Sequence, residues 1–236
     1  MATILELGSI LLDGKYTNPG SEYQLGQTIS FGDGDDLRWV VVNGMLIADR
    51  LLLVNISWNN LLLQDFTSGK QVIINNQKFL CRLPKVGTEI DTPNEWDAAL
   101  DVTGEEDSLW HWSRAAFWGQ ESVAFAPRVI RGYTSARHFD CSYSTAQRPY
   151  IGFRPVLEPL PSDHLSAGSK ICAVGGQSVL YGKVQEVTDY DAVVKPKAGF
   201  KAVKADIGKL YTKLPSGKVI IDRTQMVVQN LTTSQQ

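Results

Sequence analysis

The sequence predicts a mixed fold of α and β elements, a strand-rich first part with two helices followed by a small all-β module. Three observations carry this reading. Apolar runs, alternating or continuous, mark strands; two segments carry helix-capping signals; and a proline-bearing junction at 159–163 divides two stretches of different composition.

The elements follow in order. Gln27-Thr28-Ile29-Ser30-Phe31 alternates polar and apolar side chains, as a half-buried strand does. Gly32-Asp33-Gly34-Asp35-Asp36 has the composition of a turn. Arg38 to Val42 reads as a strand, Asn43-Gly44 as a hairpin, and Met45 to Val54 as the returning run. Ser57 is placed to cap a helix over Trp58 to Gln64, with Gly69 at the exit. Lys78 to Pro84 is extended, because the residue before a proline avoids helical backbone.

Thr92 to Leu100 reads as the second helix. Thr92 is its cap, Pro93 its first residue, and Glu95 completes a capping box. Trp96 then lies on its apolar face, with Leu100 one turn later. Residues 101–127 read as an aromatic-rich loop region. Arg128 to Gly132 reads as a core strand, and Tyr150 to Leu157 as a closing strand with Pro155 at an edge or bulge.

Pro159-Leu160-Pro161-Ser162-Asp163 is the linker, an expected site of proteolysis together with the residues up to Ala167. Short β-type runs recur beyond it: Ile171–Val174, Val179–Val187, Ala192–Lys195, Lys218–Asp222 and Gln225–Val228. The expected domains are therefore 1–160 and 161–236.

Composition supports that division. The 236 residues carry a net charge of −2, but residues 161–236 hold ten basic and six acidic residues, and all six tryptophans fall in the first part. The overall charge speaks against a general nucleic-acid binder. The lysines from Lys195 to Lys218 read as exposed residues that protect strand edges. Cys81, Cys141 and Cys172 match neither a zinc spacing nor a disulfide framework, so reduced, buried thiols are expected. The opening residues lack a basic region and Glu6 interrupts the apolar stretch, so neither a signal peptide nor membrane insertion is expected.

Three segments, in order, resemble one family. They are Phe79-Leu80-Cys81-Arg82-Leu83-Pro84 with Asn94-Glu95-Trp96-Asp97-Ala98-Ala99, then Arg128-Val129-Ile130-Arg131-Gly132, then Ile151-Gly152-Phe153-Arg154-Pro155-Val156. They are similar to motifs of formylglycine-generating-enzyme and sulfatase-modifying-factor domains, over about residues 25–158. Lys85 to Thr92 is an insertion relative to that pattern, and Tyr133-Thr134 replaces its Gly-Ser. In these departures the chain looks more like the lectin-like proteins of bacteriophages and prophages and the variable proteins diversified by retroelements. The resemblance implies an α+β, C-type-lectin-like fold: a twisted antiparallel sheet with two helices and long loops.

What the resemblance implies for function is display rather than catalysis. Copper binding in the enzymes needs two nearby thiolates, because soft sulfur suits Cu(I). Only Cys141 occupies that segment here. His111, His138 and His164 stand in no recognisable nucleophile setting, and Asp33, Asp35 and Asp36 lack the further ligands of a calcium loop. No catalytic residue, metal or cofactor is expected.

The expected ligand-binding residues are Trp110, Trp112, Trp118, Tyr133, Ser135, His138, Phe139, Asp140, Ser142 and Tyr143, gathered on exposed loops at one end of the domain. Aromatic rings give large contact area for few rotatable bonds. His138 to Ser144 has little periodicity and reads as a ligand-facing loop. Every residue in it can be encoded by a codon ending in a pyrimidine, the set that adenine-directed mutagenesis of asparagine codons produces. The expectation is a phage or prophage virion or tail-associated protein, made soluble in the host cytoplasm. Its partners would be a host-surface protein or glycan, or other virion subunits, and residues 161–236 are the candidate for self-association. The alternatives are a formylglycine-generating-type oxidase and a structural decoration protein.

Overall fold

A computed structural model describes residues 2–90, 92–122, 127–162 and 164–232. Strands β1 (Thr3–Glu6), β2 (Ser9–Leu12), β3 (Lys15–Thr17), β4 (Ser21–Glu22), β5 (Ile29–Gly32), β6 (Arg38–Val42), β7 (Met45–Ala48) and β8 (Leu53–Val54) precede helix α1 (Trp58–Leu62). Strands β9 (Lys70–Ile74) and β10 (Gln77–Arg82) lead to α2 (Glu95–Thr103) and the short α3 (Asp107–Trp110). Next come β11 (Ala116–Ser122), β12 (Pro127–Gly132), β13 (Phe139–Tyr143), β14 (Ile151–Phe153) and β15 (Val156–Pro159). The remaining strands are β16 (Lys170–Gly175), β17 (Ser178–Val187), β18 (Asp191–Pro196), β19 (Tyr211–Lys213), β20 (Val219–Asp222) and β21 (Val227–Asn230).

The α+β expectation is corrected. The chain is mostly β, with 45% strand against 8% helix. The helices exist but are short: five, nine and four residues. Much of what reads as loop is strand, because pairing partners distant in sequence hold it extended. Three sheets form before residue 160, with orders β1-β6-β7-β15-β10-β9, β13-β12-β11-β14-β8-β4 and β3-β2-β5. The expected antiparallel sheet is also mixed, since β11 pairs with β14, and β4 with β8, in parallel.

Strand β6 explains its own sequence. Trp39 and Val41 enter one core, while Val40 and Val42 enter a second that holds Trp96, Trp110 and Phe117. A strand buried on both faces needs continuous apolar residues, hence Trp39-Val40-Val41-Val42. Asn43 and Gly44, at φ 52° and 75°, make the expected tight hairpin between β6 and β7.

Two local expectations need correction. The cap of α2 is Asn94, whose Oδ1 accepts from Asp97 N–H at 2.8 Å, so Thr92 and Pro93 precede the helix. Asparagine at that position satisfies the first-turn amide directly. Tyr150 to Leu157 is not one strand: β14 lies in the second sheet and β15 in the first. Arg154 and Pro155 make the crossing, where the absent proline N–H costs no ladder bond.

The fourth sheet, β19-β20-β18-β17-β16-β21, is built wholly from residues after the linker. It rests on the first part rather than standing apart. Cys172 and Val174 join the core formed by Trp39, Phe79 and Leu157. Gly44 N–H donates to Gly176 O at 2.9 Å, and Gln77 Nε2 to the Tyr181 hydroxyl at 3.2 Å.

Candidate functional site

The three motif segments converge on the start of α2. Arg82 donates to both Glu95 oxygens, at 3.0 and 2.6 Å, and to Glu158. Arg131 donates to Asp97 Oδ2 at 3.1 Å and twice to Val86 O, at 3.2 and 2.7 Å. Arg154 lies against the rings of Trp96 and Phe117, 5.3 and 4.9 Å from their centroids, and donates to Ala48 O, Asp49 O and His111 O.

All three guanidinium groups are buried. Burial pulls the Arg154 pKa down to about 9, with Asp49 opposing. It lowers Arg131 as well, again against a carboxylate, Asp97. Burial also works to lower Arg82, but Glu95 and Glu158 more than offset it. These groups are the frame of the first part, and none presents a reactive atom to solvent.

The tryptophans belong to the frame too. Trp110 and Trp118 are fully buried. Their Nε1 atoms donate to Gly104 O at 3.0 Å and to Ile56 O at 2.8 Å. Trp112 is half-buried and donates to Glu105 O at 2.7 Å. Trp39, Trp58 and Trp96 likewise donate to backbone carbonyls. An indole buries apolar area while its N–H ties down a loop. Trp110 and Trp118 are therefore removed from the expected ligand face.

The segment Tyr133 to Tyr143 does not gather at one end either. His138 to Ser144 is no loop: its centre is β13, the edge strand of the second sheet. Phe139 pairs with Arg131, while Tyr143 pairs with Pro127 at the far end of β12. Four residues of strand, about 13 Å, separate Phe139 from Tyr143. Tyr143 is 72% exposed there. Phe139 is half-buried under the Arg131 guanidinium, 5.1 Å from its ring centroid. Asp140 is exposed and takes the Cys141 N–H at 2.7 Å. His138 and Ser142 are half-buried and Ser135 is exposed.

The feature that stands out is Tyr133. Its backbone has φ 82°, a region that bulky side chains avoid. Its N–H is shared between Trp112 O at 2.9 Å and Ala115 O at 3.0 Å, and its carbonyl accepts from Arg114 N–H at 2.9 Å. His111 and Arg114, in the loop it grips, also have positive φ, 46° and 59°. The loop is held from beneath by Arg154 on His111 O. The Tyr133 ring remains 41% exposed and packs against Tyr150 at 5.1 Å.

Tyr150 lies outside the expected binding residues, and the sheet shows why it belongs beside Tyr133. Ala116 pairs with Gly132 on one side and Ile151 on the other. The chain neighbours of those partners, Tyr133 and Tyr150, are thus brought to one sheet end. No local spacing in the sequence announces this.

Among the described residues, no group of three or more His, Cys, Asp or Glu is placed to hold a metal ion. Cys141 is the one thiol of the second sheet; Cys81 and Cys172 are buried in the first and fourth. Asp33 and Asp36 act in a turn: Asp33 Oδ1 accepts from Asn75 N–H at 2.6 Å, and Asp36 Oδ2 from the Ser9 hydroxyl at 2.6 Å.

Comparisons with family models, with curated proteins and with solved structures each returned no match.

Proposed function

We propose that this chain is a non-catalytic binding protein that meets its ligand through a face centred on Tyr133 and Tyr150. The observation that carries the reading is the strained, exposed Tyr133. A tyrosine at φ 82° costs backbone energy that a glycine would not. Four neighbouring elements hold it there: the loop 111–115, β11, β12 and the residue before β14. A ring presented on an immobilised backbone loses little freedom on binding. Thr134 and Ser135, next in sequence, and Arg114, whose N–H donates to the Tyr133 carbonyl, are exposed and supply polar contacts.

The setting is assigned from the motif resemblance: a phage or prophage virion or tail-associated protein whose ligand is a host-surface protein or glycan. The Tyr133–Tyr150 pair suits either, since an aromatic face stacks on sugar rings and anchors protein interfaces.

The test is binding of the intact chain to host cells and to a glycan array, compared with Tyr133→Ala/Tyr150→Ala. A pair acting as a hot spot contributes about 2 kcal/mol, so the variant should bind about thirtyfold more weakly. Tyr133→Gly should melt no lower than the native chain, because it relieves the strain, and should still lose binding. Native-like binding by the double variant would refute the assignment of this face.

A further inference from the structure

The fourth sheet carries an unbalanced charge pattern that is independent of the Tyr133 face. Lys183 pairs directly with Lys195 across β17 and β18. Val194 pairs with Val219, the last pair of the β18–β20 register at this end, and Lys218 directly precedes β20 there. Lys183 and Lys195 are thus cross-strand neighbours, with Lys218 at the same end of the sheet. Lys213 pairs with Val219 from the outer strand β19, so it stands at the same end but on the sheet face opposite Lys195. The carboxylates collect at the opposite end, where Asp191 pairs with Asp222. Like charges placed directly across strands destabilise a sheet.

Among the described residues, no ion pair neutralises the basic end, since none contains a lysine. Asp206, the one buried carboxylate of this part, is occupied by Gln177 N–H at 3.0 Å and the Ser178 hydroxyl at 2.6 Å.

The basic end is also concave. Lys195, Lys197, Lys213 and Lys218 line a cleft of about 560 Å³ whose walls include Gly199, Phe200 and Gly217 but no acidic residue. That is the size of a small-molecule site. A cleft lined by one sign of charge focuses its field on the space inside.

We propose that this cleft binds a small multivalent oxyanion of the phosphate or sulfate class, held by the ammonium groups of Lys195, Lys197, Lys213 and Lys218. The anion supplies counter-charge to that end of the sheet. A small anion fits better than a nucleic-acid strand. Strand binding uses exposed rings on which bases stack. Here Phe200 is half-buried, edge-on to a buried Tyr211 at 5.8 Å.

The experiment is calorimetric titration of the full chain with inorganic tripolyphosphate, a sulfated disaccharide and a single-stranded oligonucleotide. Saturable one-to-one binding of tripolyphosphate or the disaccharide is expected, and the tighter of the two identifies the oxyanion. Lys195→Gln/Lys213→Gln should weaken it by about tenfold per lysine, the effect of losing a charged hydrogen bond. Lys195→Arg/Lys213→Arg should retain it. Without ligand the Gln variant should melt no lower than the native chain, since it removes repulsion, and this separates lost binding from lost folding. The proposal is overturned by absence of binding to both small anions, by unchanged binding in the Gln variant, or by oligonucleotide affinity that exceeds both and climbs with length.

Discussion

The Arg131 guanidinium lies 3.1 Å from the Asp97 carboxylate, joining β12 to α2 across 34 positions of sequence. Arg131 also stands two residues before Tyr133, so the proposed binding face begins directly after the strand that carries the frame.

Removing one partner of a buried pair strands the other charge, which costs about 3–5 kcal/mol. Arg131 is almost fully buried, so Asp97→Ala should destabilise by that order. Urea unfolding followed by tryptophan fluorescence measures it. A loss under 1 kcal/mol would mean that Arg131 is held by its carbonyl partners alone.

The tryptophans should separate into two groups. Trp110→Ala and Trp118→Ala remove fully buried rings and should each cost about 3–5 kcal/mol. Trp112→Ala removes a half-buried ring and should cost distinctly less. Equal losses at all three positions would contradict the observed burial.

The thiols give a pH dependence. Burial pushes Cys172 up to about 12 and raises Cys81 further in the same direction. The unfolded thiols lose their protons near pH 8.5 while the folded ones keep theirs, so each makes stability fall as pH rises from about 8.5 toward its folded value. The slope per thiol is about 1.4 kcal/mol per pH unit. Arg154, lowered to about 9, acts with the opposite sign above that pH, because its folded form releases the proton first. Arg154 thus partly offsets the two thiols above pH 9, while Tyr181, likewise raised by burial, adds to their fall. Cys81→Ala/Cys172→Ala should flatten or reverse the fall in urea titrations at pH 9 and 10. A thiol reagent should label Cys141 in the native chain and all three cysteines in urea.

Proteolysis should avoid the residues that read most plainly as linker. Leu160 N–H donates to Lys78 O at 3.0 Å and Ser162 N–H to Val228 O at 3.1 Å, so the backbone there is tied down. Cleavage is expected at the exposed residues between His164 and Gly168. The two fragments should stay together until denatured, because Cys172 and Val174 sit in the first part's core. Fragment masses and size-exclusion elution check both points.

Much of the local structure was legible in the sequence. The Asn43-Gly44 hairpin, the Ser57 cap and burial of Trp96 and Leu100 all depend on neighbours in the chain. The Asn75-Asn76 turn between β9 and β10, with both residues at positive φ, 50° and 61°, was not among the turns expected from the sequence. The cap of α2 lies two residues beyond the expected Thr92, because Thr92 and Asn94 are both competent caps and it is Asn94 whose side chain accepts the Asp97 N–H.

The sequence by itself determined where turns, caps and buried runs fall, because those depend on forces within a few residues. It also determined that basic and acidic charge are unevenly divided. Tertiary structure alone decided the rest. Whether an aromatic-rich stretch is loop or strand depends on a partner far along the chain. Whether a tryptophan faces ligand or core depends on which carbonyl its N–H can reach. Tyr133 and Tyr150 meet because Ala116 is paired on both sides, and Lys183 and Lys195 meet because β17 and β18 pair in that register. Those are properties of pairing between distant segments, and no window of the sequence contains both halves of such a pair.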